Sequence, residues 1–278
     1  MKYKITKLEP FGALIESAMP GLDIGELNIE VIRELFLQEQ IVLIRGFQGF
    51  ANPDDFSKYC EQFGEISIWP FGKVLELVQQ DEPLDHIFDN SYVPLHWDGM
   101  YRTQVPEYQI FHCVKAPSPG QGGRTIFSNT IKVLENLSQD MRENWKSISG
   151  IYKRKMEFYN SKVISPLITR HPYRNFDVIR YNEVHNPDRG KLINIPDISF
   201  TGLKEKELVK VFKDLDKLLY NPKNSYAHEW RDADIVIADN FTLLHGREAF
   251  KLNAPRHIQR VQVLSNPPFD NPHLETLK

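Results

Sequence analysis

The sequence predicts a β-rich, α+β fold: a sandwich or barrel of short strands with a few covering helices. Three observations predict it. Short apolar runs recur along the chain, turn-forming Gly, Pro and Asn fall between them, and few stretches carry the apolar spacing of a helix. The first clear strand is Ile41-Val-Leu-Ile-Arg45, a continuous apolar run closed by Gly46, as expected of a buried strand. Val74–Val78 alternates weakly. Tyr108–Val114, Thr125–Ser128, Asp177–Tyr181, Asp234–Ala238 and His257–Leu264 join β-branched, aromatic and aliphatic residues in strand-length runs.

Helices punctuate these strands. Asn28 is placed to cap a helix with Ile32, Leu35 and Phe36 on one face. Pro53-Asp54-Asp55 opens a second, which Gly64 would stop. Residues 203–220 carry Leu208, Val211, Phe212, Leu215, Leu218 and Leu219 at helical spacing, with Lys, Glu and Asp between them, the pattern of a helix that covers a core. Segments 80–94, 116–123 and 182–200 read as loops, and long loops beside a site are candidate lids.

A chain of 278 residues, 41% hydrophobic and 26% charged, suffices for one domain over residues 1–278. The net charge of −3 is spread along the chain and excludes the basic stripe of a nucleic-acid binder. Two cysteines, Cys60 and Cys113, cannot build a disulfide framework and read as small buried apolar residues. The N-terminal Met-Lys-Tyr-Lys-Ile-Thr-Lys lacks the apolar core of an export signal, and no apolar run is long enough to span a membrane. The expectation is a cytoplasmic protein whose partner is a small molecule, not nucleic acid or membrane. A homodimer is left open.

The chemistry gathers around His96-Trp97-Asp98. Residues two apart in an extended segment face one side, so His96 and Asp98 point together and Trp97 points away. His245, just after the apolar strand at 234–238, is the nominated third member. Two histidines and one carboxylate hold non-haem Fe(II) by one face, and zinc accepts the same set. Arg256 and Arg260 follow His245 by 11 and 15 residues. Their even spacing puts both on one strand face, and a guanidinium binds a carboxylate bidentately. Gly122-Gly123 permits a close backbone approach, and Thr125 offers a hydroxyl to the same anion. His112, His228 and His257 read as hydrogen-bonded structural residues, with His112 and His257 next in line as pocket walls.

Taken together, His96-Trp97-Asp98, Gly122-Gly123-Arg124-Thr125, His245, Arg256 and Arg260 resemble the taurine/2-oxoglutarate-dependent dioxygenase (TauD/TfdA) family. The wording of Leu95–Tyr101, Gln109–Val114, Gln121–Thr125 and Ile237–Phe250 is similar to its PvcB-like subgroup, the oxygenases of isonitrile biosynthesis. The resemblance implies a double-stranded β-helix, or jelly roll, flanked by helices. It implies Fe(II) on His96, Asp98 and His245 as the catalytic centre, 2-oxoglutarate on Arg256 and Thr125, and O2 as second co-substrate. The implied activity is oxidative decarboxylation and desaturation of tyrosine isonitrile to a vinyl isonitrile, with Arg260 as substrate cation and Met100 and Tyr101 as pocket wall. Asp98 argues against halogenation, because related halogenases lack that carboxylate. Arg124 stands where many members carry Asp, which is expected to alter substrate preference. A hydroxylase of another small sulfonate or amino acid, and a zinc hydrolase, remain the alternatives.

Overall fold

In the computed structural model, which describes residues 2–156 and 159–277, the apolar run Ile41–Arg45 is an inner strand of a seven-stranded sheet. The order across it is Tyr3–Lys7, Ala13–Ser17, Ile41–Arg45, Ile235–Asp239, Tyr108–Lys115, His257–Val263 and Leu75–Val78. Only Ala13–Ser17 and Ile41–Arg45 run parallel; the other neighbours are antiparallel. A four-stranded antiparallel sheet is ordered Ser225–His228, Thr125–Asn129, Leu243–Arg247 and Val93–His96. The two sheets share a core: Phe111, Val236 and Ile258 of the larger pack in one cluster with Phe127 and Leu243 of the smaller.

Strand alternation explains which residues enter that shared space. On Tyr108–Lys115, Phe111 and Cys113 join the shared cluster, while Tyr108 and Ile110 face the opposite cluster. There the larger sheet is covered by two helices, Ile29–Glu39 through Ile32 and Phe36, and Pro53–Cys60 through Phe56 and Cys60. Asn28 caps the first by accepting from the Glu30 amide at 2.9 Å. Asn52 caps the second, which ends at Cys60, short of the Gly64 stop expected from sequence. Ile126 and Leu244 turn the other way from the smaller sheet, and the helix Glu205–Leu219 buries Val211, Leu215 and Leu219 in the cluster they belong to. Each buried aliphatic side chain contributes about 1.5–3 kcal/mol, more than helix propensity differences of about 0.7 kcal/mol, so burial sets the face this helix presents.

The N-terminal hairpin and the sheet Asp197–Thr201, Ser149–Met156, Tyr159–Pro166 and Leu274–Thr276 lie outside the sequence expectation. Their outer faces carry lysines such as Lys4, Lys7, Lys153 and Lys155 and their buried faces include Ser161 and Ser165, so apolar runs do not mark them. The segment expected to be loop at 182–200 ends in one of these strands. Cys60 and Cys113 are buried and unpaired, and no helix among the described residues is long and apolar enough to cross a membrane.

Candidate metal centre and adjoining cavity

Antiparallel pairing brings the two histidines together. His245 sits directly opposite His96 in register, with ring centroids 4.2 Å apart. Gly246 makes this close approach possible, since a Cβ there would lie 2.5 Å from the Val93 carbonyl oxygen. The strand Val93–His96 then ends, and the chain turns so that Asp98 returns to the imidazoles, while Trp97 is buried in the apolar core and also borders the cavity. Asp98 Oδ1 lies 3.5 Å from His96 Nε2, and Oδ2 lies 3.8 Å from His245 Nε2. One potential ligand atom from each of His96, Asp98 and His245 lies within 4.8 Å of the others, a cluster of donors that could hold one metal ion. His96 Nδ1 is 2.8 Å from the Pro94 carbonyl oxygen, which only accepts; the proton therefore sits on Nδ1 and the Nε2 lone pair is free.

Asp98 is held more tightly than sequence reasoning foresaw. Arg260, Gln109 and Gln262 all donate to its Oδ2, at 2.5, 2.7 and 2.7 Å. Asn240 clamps its backbone, accepting from the Asp98 amide at 2.8 Å and donating to its carbonyl at 2.9 Å. Burial pushes the Asp98 carboxyl up, but Arg260 and the two imidazoles outweigh it and hold the group well below the usual carboxylate range. Burial, with His96 and Arg260 close by, lowers His245 well below the ordinary imidazole value against the pull of Asp98, so it stays neutral. Gln109, Asn240 and Gln262 were missed from sequence. Gln262 shares strand parity with Arg260, the one signal that could have found it.

Arg256 lies just before the strand His257–Val263 and is buried, 5% exposed. Its Nε donates to the Gly123 carbonyl at 3.1 Å, and its guanidinium lies 5.7 Å from the Phe250 ring centroid. Gly123 has φ +79°, and a Cβ there would stand 3.0 Å from Arg256 Cδ, so glycine makes room for the guanidinium. No carboxylate among the described residues pairs with Arg256, and burial together with the Arg247 charge lowers its pKa to about 9. Thr125, two residues beyond Gly123, accepts from Trp230 Nε1 at 3.0 Å, which leaves its own hydroxyl proton to donate.

A cavity adjoins His96 and Asp98, and its wall also includes Met100, Tyr101 and Arg260. Tyr101 stacks on Tyr159 with centroids 5.6 Å apart, and Met100 Sδ receives the Asn182 amide at 3.6 Å. The expectation for Arg124 is corrected, while His112 and His257 take the hydrogen-bonded structural role expected first and not the pocket-wall role expected second. Arg124 does not line the cavity; its fork is taken by Glu248 at 2.7 and 2.6 Å on the surface, so it offers no route to altered substrate preference. His112 faces the helix-covered side, against Phe50 and Phe56, because its strand parity is opposite to that of Phe111. His257 pairs with Glu76 at 2.5 Å, away from the cavity.

The profile of the taurine catabolism dioxygenase TauD, TfdA family matches residues 4–262. The chain is 44% identical over 265 residues to the tyrosine isonitrile desaturase of Pseudomonas aeruginosa, spanning 95% of this chain and 91% of that protein. It is 36% identical over 264 residues to the 3-((Z)-2-isocyanoethenyl)-1H-indole synthase of Fischerella ambigua, spanning 95% and 96%. The structure of PvcB, described as an Fe, alpha-ketoglutarate dependent oxygenase from an isonitrile synthetic pathway, superimposes with a TM-score of 0.83 at 40% identity over 99% of this chain and 96% of that one. This chain belongs to the TauD/TfdA dioxygenase family.

Proposed function

We propose that this chain is an Fe(II)- and 2-oxoglutarate-dependent oxygenase that converts an amino-acid-derived isonitrile, tyrosine isonitrile, to its vinyl isonitrile. The observation that carries the proposal is the convergence of His96, Asp98 and His245, in a chain that also buries the Arg256 guanidinium with no acidic partner among the described residues. The likeness to tyrosine isonitrile desaturase supplies the substrate class. We read the two facing sheets as the double-stranded β-helix and residues 1–278 as one domain in a cytoplasmic setting.

His96 Nε2, His245 Nε2 and Asp98 Oδ1 would hold the iron, since Asp98 Oδ2 is already committed to three donors. Ferrous iron with 2-oxoglutarate would supply there the oxidising power drawn from O2. Arg256 forms the charged pair with the distal carboxylate of 2-oxoglutarate, and the Thr125 hydroxyl donates to it. Arg260 fixes Asp98 through one nitrogen and holds positive charge at the cavity wall, where the carboxylate of the substrate is held before it is lost. Met100 and Tyr101 supply apolar and aromatic surface that orients the ring and excludes water.

The test is anaerobic loading with Fe(II), then 2-oxoglutarate, O2 and tyrosine isonitrile, with succinate and vinyl isonitrile measured together. Coupled formation of both, abolished in Asp98→Ala, is the expected outcome. Succinate formed with a hydroxylated product would replace the desaturation by the hydroxylase alternative, and activity with zinc in the absence of O2 would sink the proposal.

A further inference from the structure

Two loops meet over the cavity wall, and their junction carries an acceptor that the chemistry above does not use. His86 is 4% exposed and lines the cavity. Its Nδ1 lies 2.8 Å from the Ile193 carbonyl oxygen. A carbonyl only accepts, so the ring proton is on Nδ1 and Nε2 bears the lone pair. Nε2 has no partner among the described residues. Burial, stronger than the pull of Asp85, lowers the pKa of His86 and keeps the ring neutral.

The ring is fixed relative to the metal ligands. Arg247, two residues beyond His245, donates to the carbonyls of His86, Ile87, Asp89 and Ser91 at 3.0, 2.9, 2.8 and 2.7 Å. The buried Asp85 carboxylate lies 3.5 Å from His86 Nδ1 through one oxygen and receives Arg154 and Asn194 on the other. Arg154 also lines the cavity, so one carboxylate aligns an acceptor and a donor on the same wall. A hydroxyl group can use both at once, whereas an indole N–H can only donate.

We propose that His86 is a specificity-determining residue whose Nε2 accepts a hydrogen bond from a phenolic O–H of the substrate, with Arg154 donating back to the phenol oxygen. This rests on the isonitrile reading above and names what that site selects. A site built to pair a hydroxyl leaves buried polar groups unpaired when the hydroxyl is missing, so the ring without it is disfavoured.

The test is the ratio of kcat/KM for tyrosine isonitrile over phenylalanine isonitrile in the full chain with Fe(II) and 2-oxoglutarate. The wild type should prefer the hydroxylated ring by roughly 5- to 100-fold. His86→Phe should bring the ratio to about one, and His86→Gln, whose amide can reach the Nε2 position, should retain part of it. A folding loss scales both substrates alike and leaves the ratio unmoved. The same ratio read from anaerobic dissociation constants decides the matter if the Phe variant turns over too slowly. A wild-type ratio near one, or a wild-type ratio preserved in His86→Phe, overturns the proposal. Wild-type protein that converts neither isonitrile overturns the enclosing reading and the role of His86 with it.

Discussion

Replacing Arg256 with methionine should weaken 2-oxoglutarate binding while leaving the ligand-free chain as stable as before or more so. Burial and the Arg247 charge lower the Arg256 guanidinium from its ordinary 12.5 to about 9, which corresponds to roughly 5 kcal/mol against holding the charge in the fold. For a base with a lowered folded pKa, that cost is fully present below pH 9 and fades only above it, so it stands at neutral pH. Methionine keeps the stem that packs beside Gly123 and Phe250 and removes the charge, at the loss of one hydrogen bond to the Gly123 carbonyl. The ligand-free variant should therefore be neutral to about 4 kcal/mol more stable. Binding moves the other way. Losing a charge-assisted, two-pronged contact removes about 1.5–4 kcal/mol, a rise of roughly 10- to 1000-fold in the dissociation constant. Thermal melting without ligand and calorimetric titration of 2-oxoglutarate into anaerobic, metal-loaded protein measure the two halves. An affinity within threefold of wild type would refute the carboxylate assignment, and a clear loss of melting temperature would refute the unbalanced charge.

Three further outcomes are expected. Gln262→Leu removes one of the donors that lock Asp98 Oδ2 without touching a ligand atom, and should lower metal affinity about 10- to 100-fold in a competition titration. Glu107 is raised to about 7 by burial and the Asp239 charge, against the pull of Arg174. Between 4.5 and 7 the folded chain then binds more protons than the unfolded one, so stability falls as pH rises through that window. Glu107→Gln should remove this slope and stabilise the chain by roughly 3 kcal/mol near pH 8 but not near pH 4.5, as read by denaturant midpoints. Arg247→Leu leaves four carbonyls of the 86–91 loop without their donor and should speed proteolytic cleavage there, with the ligand-bound rate read alongside.

The convergence of His96, Asp98 and His245 was legible because their spacing is local in part. His96 and Asp98 lie two residues apart, so the turn that follows the strand keeps them close, although strand parity does not describe it, and His245 follows a strand whose apolar run announces its burial. Arg256 and Arg260 were legible for the same reason, since parity carries through His257–Val263 to put Ile258 and Arg260 on the inner face. Gln109 and Gln262 follow that parity too, but a neutral amide carries no chemical label until its partner is known. Asp85 and His86 come from one loop, Ile193 from a second and Arg154 from a strand, and only tertiary contact joins them. Arg124 misled because sequence position next to Thr125 says nothing about side: alternation sends it outward to Glu248. The strands near 149–166 escaped notice because their outer faces carry Lys153 and Lys155, and polar residues such as Arg154, Ser161 and Ser165 interrupt the inner one.

The most direct test is a crystal structure of the chain grown without oxygen in the presence of Fe(II) and 2-oxoglutarate. The account predicts one ion bound by His96, Asp98 and His245, with the distal carboxylate of the keto acid against Arg256 and Thr125. An ion bound elsewhere, a ligand side chain turned away from it, or a keto acid that leaves Arg256 unpaired would contradict it.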